Sequence, residues 1–305
     1  KVEKLYIVEE LDPVIEEQVK SWGIKATGKE IFTVQGEYSA NMLREAILGE
    51  ELKLDAPAAA PGRPPILCPG CPHRSVYYVL NKLKMHAAGD IGCYTLGNAM
   101  PLDMVDTCLC MGAGLNIAQG VEKVEPDTTC FAFVGDSTFF ASAITGVVNA
   151  VYNQANMVLV VLDNSTTAMT GHQPHPGTGR TVMGEIVQKI NIEQVLRGIG
   201  VTEIETINPL ELEASVSCVK RMAEKSGVRA IIFKAPCIAV TKPKAPLHVD
   251  QDSCIGCKKC IRDLGCPAIV MNDGKICIDA SMCTGCHLCS QVCPVCAIAG
   301  GDDHE

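Results

Sequence analysis

The 305-residue sequence is poor in aromatics: one Trp, six Tyr and six Phe make up 4% of a chain that is 47% hydrophobic. Its core therefore has to be aliphatic. Lysine and arginine (26) are outnumbered by aspartate and glutamate (35), the net charge is −9, and no basic block interleaved with aromatics occurs. That composition removes the electrostatic footprint of a nucleic-acid binder. No apolar run approaches the ~20 residues of a bilayer span, so no membrane segment is expected. Nothing in the text reads as a signal peptide. The text opens on Lys1, in what reads as the middle of an element, so the chain is expected to be the C-terminal portion of something longer.

Glycine and proline are present where they punctuate. Residues 1–54 read as the end of an α/β domain: a strand at Lys4–Val8, a helix from Asp12-Pro13, a strand near Ile24 and a helix over Asn41–Leu48. Glu9 and Glu10 read as a solvated strand end. The Ala/Pro-rich stretch 55–65 cannot hold a helix and is expected to be a semi-rigid linker. Residues 66–245 alternate helices with the strands Cys130–Val134, Met157–Leu162 and Ala230–Lys234, the pattern of an α/β domain with a parallel sheet. A second linker, Thr241–Pro246, leads into a compact region, 246–305, of α+β type.

The stretch Val134–Gly179 carries the chemistry of the α/β domain. A strand runs into Gly135-Asp136-Ser137, a helix is expected over Phe139–Tyr152, and a buried strand ends at Asp163-Asn164. A strand, a crossover helix and a parallel strand bring both polar pairs to one carboxyl edge, where open α/β sheets bind ligands. Asp136 offers a hard carboxylate, Asn164 an amide oxygen, and the turn a backbone carbonyl near Thr166, a donor set suited to magnesium on a diphosphate. Gly135 allows close backbone approach, and a helix N-terminus faces the anion. Met111-Gly112-Ala113 opens a further helix whose small residues suit either close packing or a ligand contact. These residues resemble the thiamine diphosphate motif, Gly-Asp-Gly followed some two dozen residues later by Asn-Asn. Ser137 and Asp163 depart from it, while both metal-ligand positions are kept.

Eighteen cysteines would suit either a disulfide scaffold or metal ligation in a reducing cytoplasm, and their distribution favours the second. Ten crowd between Cys254 and Cys296 in an internal repeat. The first copy is Cys254, Cys257, Cys260 and Cys266-Pro267; the second is Cys283, Cys286, Cys289 and Cys293-Pro294. Three thiolates at this spacing wrap one face of an iron–sulfur cube, and the fourth, before a Pro, reaches the other cube. The region 248–299 resembles a bacterial two-cluster [4Fe–4S] ferredoxin. Its first cluster would use Cys254, Cys257, Cys260 and Cys293, its second Cys266, Cys283, Cys286 and Cys289. The five residues before Cys266, against three before Cys293, lengthen that loop. A zinc ribbon would need two separated pairs. Cys277 and Cys296 fall outside the pattern and are expected to be packed hydrophobes, as are Cys108, Cys110, Cys130 and Cys218.

Cys68-Pro-Gly-Cys71, Gly92-Cys93 and Pro236-Cys237 stand at element edges beside Gly or Pro and could converge on one more cluster; alone, the Cys-x-x-Cys pair would suit a redox-active or an inert reading equally. Ferredoxin-dependent 2-oxoacid oxidoreductases carry these three motifs in the diphosphate domain, around a cluster beside the thiazolium. Cys68-Pro-Gly-Cys-Pro-His-Arg74, Asp90-Ile-Gly-Cys-Tyr-Thr-Leu-Gly97 and Thr167-Ala-Met-Thr-Gly-His-Gln-Pro-His-Pro-Gly177 resemble the indolepyruvate branch of that family, over nearly the whole chain. The resemblance implies thiamine diphosphate and Mg2+ held near Gly92, Cys93, Gly112, Gly135, Asp136, Ser137 and Asn164. It further implies two [4Fe–4S] clusters with a third at Cys68, Cys71, Cys93 and Cys237, coenzyme A as acyl acceptor, an external ferredoxin, an aryl 2-oxoacid substrate, and a smaller (beta) subunit beside the missing N-terminal half.

Thiamine enzymes also need a carboxylate at the aminopyrimidine. No Glu between 66 and 243 has that context, so it is expected outside this chain. His172 and His175 lie in the loop after the metal motif and could face substrate, although a His in a Pro/Gly-rich loop is more commonly just exposed. Two rival readings are a non-oxidative thiamine diphosphate decarboxylase or carboligase with a ferredoxin tail, and an electron-transfer module without catalysis of its own. Magnesium-dependent cofactor binding separates the last from the others, and reduction of the clusters by a 2-oxoacid plus coenzyme A separates the first two.

Overall fold

In a computed structural model of the chain, residues 2–50, 62 and 64–300 are described. The chain divides into two compact units, 1–63 and 64–305. The expected linker at 55–65 falls almost wholly outside the described residues.

In the first unit the helices Val14–Ser21 and Ala40–Leu48 are formed. The strands expected at Lys4–Val8 and near Ile24 shrink to one parallel bridge, Tyr6 to Thr27. A lone two-stranded pair is marginal, and among the described residues of this unit no third strand joins it. Asp12 does not cap the first helix. Glu9 does: its two carboxylate oxygens accept the Ile15 and Glu16 amides, each at 2.8 Å, placing an anion at the positive end of the helix. Glu9 is therefore a capping group rather than a solvated strand end.

The second unit is built on a five-stranded sheet, β1 (His86–Ala88), β2 (Cys130–Gly135), β3 (Met157–Asp163), β4 (Glu203–Ile207) and β5 (Val228–Lys234), in the order β1-β2-β3-β5-β4. Every pairing is parallel. β2 and β3 are buried along their whole length, as a sheet covered on both faces requires. Alternate residues feed two cores. Phe131, Phe133, Val158, Val160 and Leu162 pack with Tyr77, Val79 and Leu80 of the helix His73–Leu83. Ala132, Val134, Leu159 and Val161 pack with Leu115, Phe139 and Val147 on the other face.

The helix expected at Phe139–Tyr152 is interrupted. It starts as one turn at Asp136–Thr138, widens into a π-helical turn over Phe139–Ala143, and runs as α-helix over Ile144–Tyr152. Such a bulge at a strand-to-helix turn is frequent beside ligand sites.

After the sheet come two short antiparallel pairs, β6 (Leu247–Val249) with β9 (Ile298–Gly300) and β7 (Ile269–Asn272) with β8 (Lys275–Ile278), and the one-turn helices Lys259–Arg262 and Leu288–Val292. This region does not stand apart. Leu247, Leu264, Ile269, Ile276, Leu288, Val292 and Ile298 continue the same apolar core that covers one face of the sheet. The segment Thr241–Pro246 is pinned as well, with the Lys244 amide on the Thr284 carbonyl at 3.1 Å.

Candidate functional site

The carboxyl ends of β2 and β3 open into a cleft of about 140 Å³ lined by His73, Gly92, Cys93, Tyr94, Gly135, Asp136, Ser137, Asn164, Thr166 and Met169, among others. The fold thus brings the two polar pairs of the sequence motif to one cavity together with the Gly92-Cys93 motif.

Asp136 is buried, and each of its oxygens has a partner. Its Oδ1 accepts the Ser137 amide at 2.8 Å and its Oδ2 accepts the Ser165 amide at 2.7 Å. His175 Nε2 lies 3.1 Å from the same Oδ2, while His175 Nδ1 accepts the Gly177 amide at 3.2 Å. The Gly177 amide thus occupies Nδ1 and leaves Nε2 facing Asp136. Burial pushes the Asp136 carboxyl up, the bond from His175 opposes this, and the neighbouring Asp163 charge adds to the rise. His175 is buried against Asp136 and stacked on Phe140, which corrects the expectation of an exposed loop histidine; His172 is exposed. The ring turns inward because Thr178 and Gly177 fold the loop back onto it.

Asn164 is oriented by a residue 91 positions away. His73 Nε2 sits 3.3 Å from the Asn164 amide nitrogen, and burial lowers the His73 pKa to about 4, which keeps it a neutral acceptor. Asn164 Oδ1 is left on the side of the Thr166 amide, at 3.3 Å. Asp163 turns away from the cleft: Oδ2 pairs with Lys234 at 3.0 Å and Oδ1 accepts from Ser165. The departure from Asn at this position is thus occupied by an ion pair. Ser137, the other departure, accepts a hydrogen bond from the Thr167 hydroxyl at 2.9 Å.

A second network fixes the backbone. The Gly135 amide donates to the Tyr94 hydroxyl at 3.0 Å, that hydroxyl donates to Asp90 Oδ2 at 2.8 Å, and Asp90 Oδ1 accepts the Gly112 amide at 2.7 Å. Gly112, at φ +84°, starts the helix Ala113–Val124. A Cβ on Gly135 would lie 2.7 Å from the Tyr94 ring, so glycine is needed there for close approach. Asp90, Tyr94 and His73 carry no local signal of a site role in the sequence; they lie inside the Cys68–Arg74 and Asp90–Gly97 motifs.

A buried carboxylate, an amide oxygen and Thr166, with free lone pairs on the carboxylate, form a hard-oxygen donor set that fits magnesium. Among the described residues no three His, Cys, Asp or Glu groups close on a single ion. A cube holds its thiolates further apart, and there the sulfur groupings are informative. Cys71 is raised to about 12, first by burial, and feels Cys68 and Cys237; Cys93 is raised by burial and feels Cys237 and Cys68. In the tail, Cys286 and Cys289 are raised by burial and by Cys266 and Cys283. Cys260 is raised by burial and by Cys257 and Cys293, and Cys254, Cys257, Cys260 and Cys293 line one small hollow. Each copy's fourth cysteine therefore sits with the other copy's triplet. Cys130 and Cys218 are buried, but Cys108, Cys110 and Cys296 are exposed rather than packed. The first two lie in the loop before Gly112, and Cys296 stands in a left-handed turn at φ +52°.

Residues 90–233 match the family described as thiamine pyrophosphate enzyme, C-terminal TPP binding domain. The sheet is a thiamine diphosphate-binding domain, joined to a cysteine-rich α+β tail. Over nearly its whole length the chain is a relative of the indolepyruvate oxidoreductase subunit IorA. It is 39% identical to that of Methanothermobacter thermautotrophicus and 37% to that of Archaeoglobus fulgidus, over 97% of this chain and 52% of theirs in both cases. It is 37% identical to that of Thermococcus kodakarensis over 96% of this chain and 52% of that one. The chain spans about half the length of these curated relatives. The solved 2-oxoglutarate:ferredoxin oxidoreductase from Magnetococcus marinus is similar in fold, with a TM-score of 0.51 at 20% identity over 60% of this chain and 67% of that chain. Among the described residues no helix is long and apolar enough to cross a membrane.

Proposed function

We propose that the chain supplies the diphosphate half of a thiamine diphosphate enzyme that oxidatively decarboxylates an aryl 2-oxoacid to its acyl-coenzyme A and passes the electrons to ferredoxin. One juxtaposition supports this reading above the rest: the cleft that holds Asp136 and Asn164 also holds Cys93, whose sulfur neighbours include Cys68 of the loop against which the tail packs. A metal-and-diphosphate site and a run of cysteines are thereby continuous. The aryl preference rests on the names of the IorA relatives.

In this reading Asp136, Asn164 and Thr166 hold Mg2+, with His175 fixing the carboxylate and His73 the amide. Backbone at Gly135, Ser137, Gly92 and Gly112 approaches the diphosphate, and the helix Ala113–Val124 directs its positive end toward it. Thiamine diphosphate, when bound, would supply the nucleophilic and electron-accepting chemistry that decarboxylation of a 2-oxoacid needs. Ile91, Met111 and Met169 give the cleft an apolar wall on the side of the reacting carbon. Cys68, Cys71, Cys93 and Cys237 hold a proximal [4Fe–4S] cluster, Cys266, Cys283, Cys286 and Cys289 a second, and Cys254, Cys257, Cys260 and Cys293 a third. The pyrimidine-activating Glu comes from outside this chain, as does the smaller subunit, and the assembly works in the cytoplasm.

The test is reduction of the cluster absorbance in the full complex by indolepyruvate, pyruvate or 2-oxoglutarate with coenzyme A. Bleaching fastest with indolepyruvate is expected. Carbon dioxide release without bleaching would favour a non-oxidative decarboxylase, and failure to bind thiamine diphosphate in the presence of magnesium would leave only an electron module.

A further inference from the structure

Arg74 is a buried cation without a counter-charge. Its side chain is 2% exposed and stands in the first turn of the helix His73–Leu83, where the helix dipole disfavours positive charge. Nη1 donates to the carbonyls of Leu264 and Gly265 at 2.6 and 2.9 Å, and Nη2 to those of Leu67 and Cys68 at 2.6 and 3.2 Å. The buried Nε has no hydrogen-bond partner, and among the described residues no carboxylate pairs with the guanidinium. Carbonyl dipoles reduce the cost of burying a charge but do not neutralise it.

Sulfur lies on both sides of it. The Cys68 carbonyl it binds belongs to the loop of Cys68 and Cys71, and the Gly265 carbonyl directly precedes Cys266. The loop of Cys68 and Cys71 is also in direct contact with the loop of Cys283 and Cys286. Gly70 stands at φ +70°, and a Cβ there would lie 1.9 Å from Thr284 Oγ1, between Cys283 and Cys286; that hydroxyl is itself buried and unpartnered. On the tail side Gly265 is seated against Pro101.

We propose that Arg74 is the shared counter-charge of two iron–sulfur clusters, that of Cys68, Cys71, Cys93 and Cys237 and that of Cys266, Cys283, Cys286 and Cys289, and that electrons enter the tail at the second of these rather than at the Cys254 cluster. The proposal rests on the functional reading above. In the step itself one electron leaves the reduced first cluster, which returns to its oxidised level, and reduces the second; no bond is made or broken and no proton moves. The 2-oxoacid with coenzyme A is the reductant and ferredoxin the final oxidant. Because the added negative charge stays beside the same guanidinium before and after transfer, Arg74 favours the reduced level of both clusters and keeps their potentials close. Arg262, a cation beside the Cys254 cluster, donates to the Cys257 carbonyl at 3.1 Å but is exposed, where solvent and salt screen it.

The experiment is a mediated redox titration of the intact complex followed by electron paramagnetic resonance, with the Cys254 cluster's signal identified in Cys293→Ser. In Arg74→Gln the equilibrium constant for reducing each of the two adjacent clusters should fall about tenfold, which for one electron is about 59 mV downward, while the Cys254 cluster does not move. Arg229 is fully buried and likewise bonded to the Met222 and Gly227 carbonyls, with Asn156 its third partner, and Arg229→Gln should shift none of the three. Unchanged potentials, or an equal shift of all three clusters, in Arg74→Gln would overturn the proposal. If that variant loads no clusters, Arg74→Lys decides: with the charge kept it should load all three at wild-type potentials, and failure to load would show Arg74 to be a tether only. Iron confined to the tail of the unsubstituted protein would sink the proximal cluster and this proposal together while leaving thiamine binding untouched. An unshifted Cys286 cluster in fully loaded Arg74→Gln protein would sink this proposal alone.

Discussion

Around Asp136 and Asn164 each polar group is already held by another: carboxylate by two amides and an imidazole, amide by an imidazole, glycine amide by a phenol. In the tail the strands are three or four residues long, the helices one turn, and the thiols that matter have chiefly each other. The sheet edge is thus organised before anything binds, whereas the tail takes its order from the apolar face of the sheet and from what its cysteines hold. Preorganisation lives where hydrogen bonds cross the sequence; where they are short-range, packing and ligation replace them.

The sharpest way to separate the two regions is Asp136→Ala. Removing a ligand should cost more than the ~10–100-fold typical of outer-shell partners, so thiamine diphosphate retention in magnesium should be abolished, while the iron–sulfur absorbance stays intact. Full occupancy by quantitation of released cofactor would break the assignment of the edge.

Next is Cys293→Ser, which should perturb the cluster of Cys254, Cys257 and Cys260 and spare that of Cys283, Cys286 and Cys289. Paramagnetic resonance showing the reverse would uncross the ligands.

A smaller effect comes with acid. His73 is neutral when folded, with a pKa of about 4, against about 6.5 unfolded. Between those values the unfolded chain binds a proton that the folded chain does not. The contribution is complete above about pH 6.5 and is lost as pH falls, to about 3 kcal/mol by pH 4. Urea midpoints across that range should show the slope in wild type and lose this component in His73→Phe; an identical slope in both would assign the acid sensitivity elsewhere.

The smallest is Gly70→Ala. A Cβ at positive φ against Thr284 should cost about 1–3 kcal/mol, and it should appear as faster amide exchange in the tail with β2 and β3 unaffected. Uniform loosening of the whole unit would mean that the two regions do not separate at all.

Strand runs, the Gly135-Asp136 and Asp163-Asn164 pairs and the cysteine repeat could be read directly because each is a local pattern. What could not be read is contact between distant positions. Nothing local marks His73 as the partner of Asn164, Tyr94 as the partner of Gly135, or Lys234 as the partner of Asp163. His175 looked like an ordinary loop histidine because its burial depends on how Gly177 and Thr178 turn the chain. Lys4–Val8 has a strand's composition, but among the described residues it finds only the single bridge to Thr27. Cys108, Cys110 and Cys296 look apolar by residue type, yet their loops leave them in solvent. The run Thr241–Pro246 looked like a tether, since the apolar core beneath it is assembled from residues on both sides.

That common core bears on kinetics. A redox carrier on a free tether must find its donor by diffusion, and its transfer slows in a viscous solvent as the search slows. Here Leu247, Leu264 and Leu288 are part of the layer that covers the sheet, so under the proposed function there is no search to slow. Electron passage from the cleft into the tail should then have one rate rather than a spread of rates, independent of added sucrose, and the viscosity-dependent step should be the later encounter with ferredoxin.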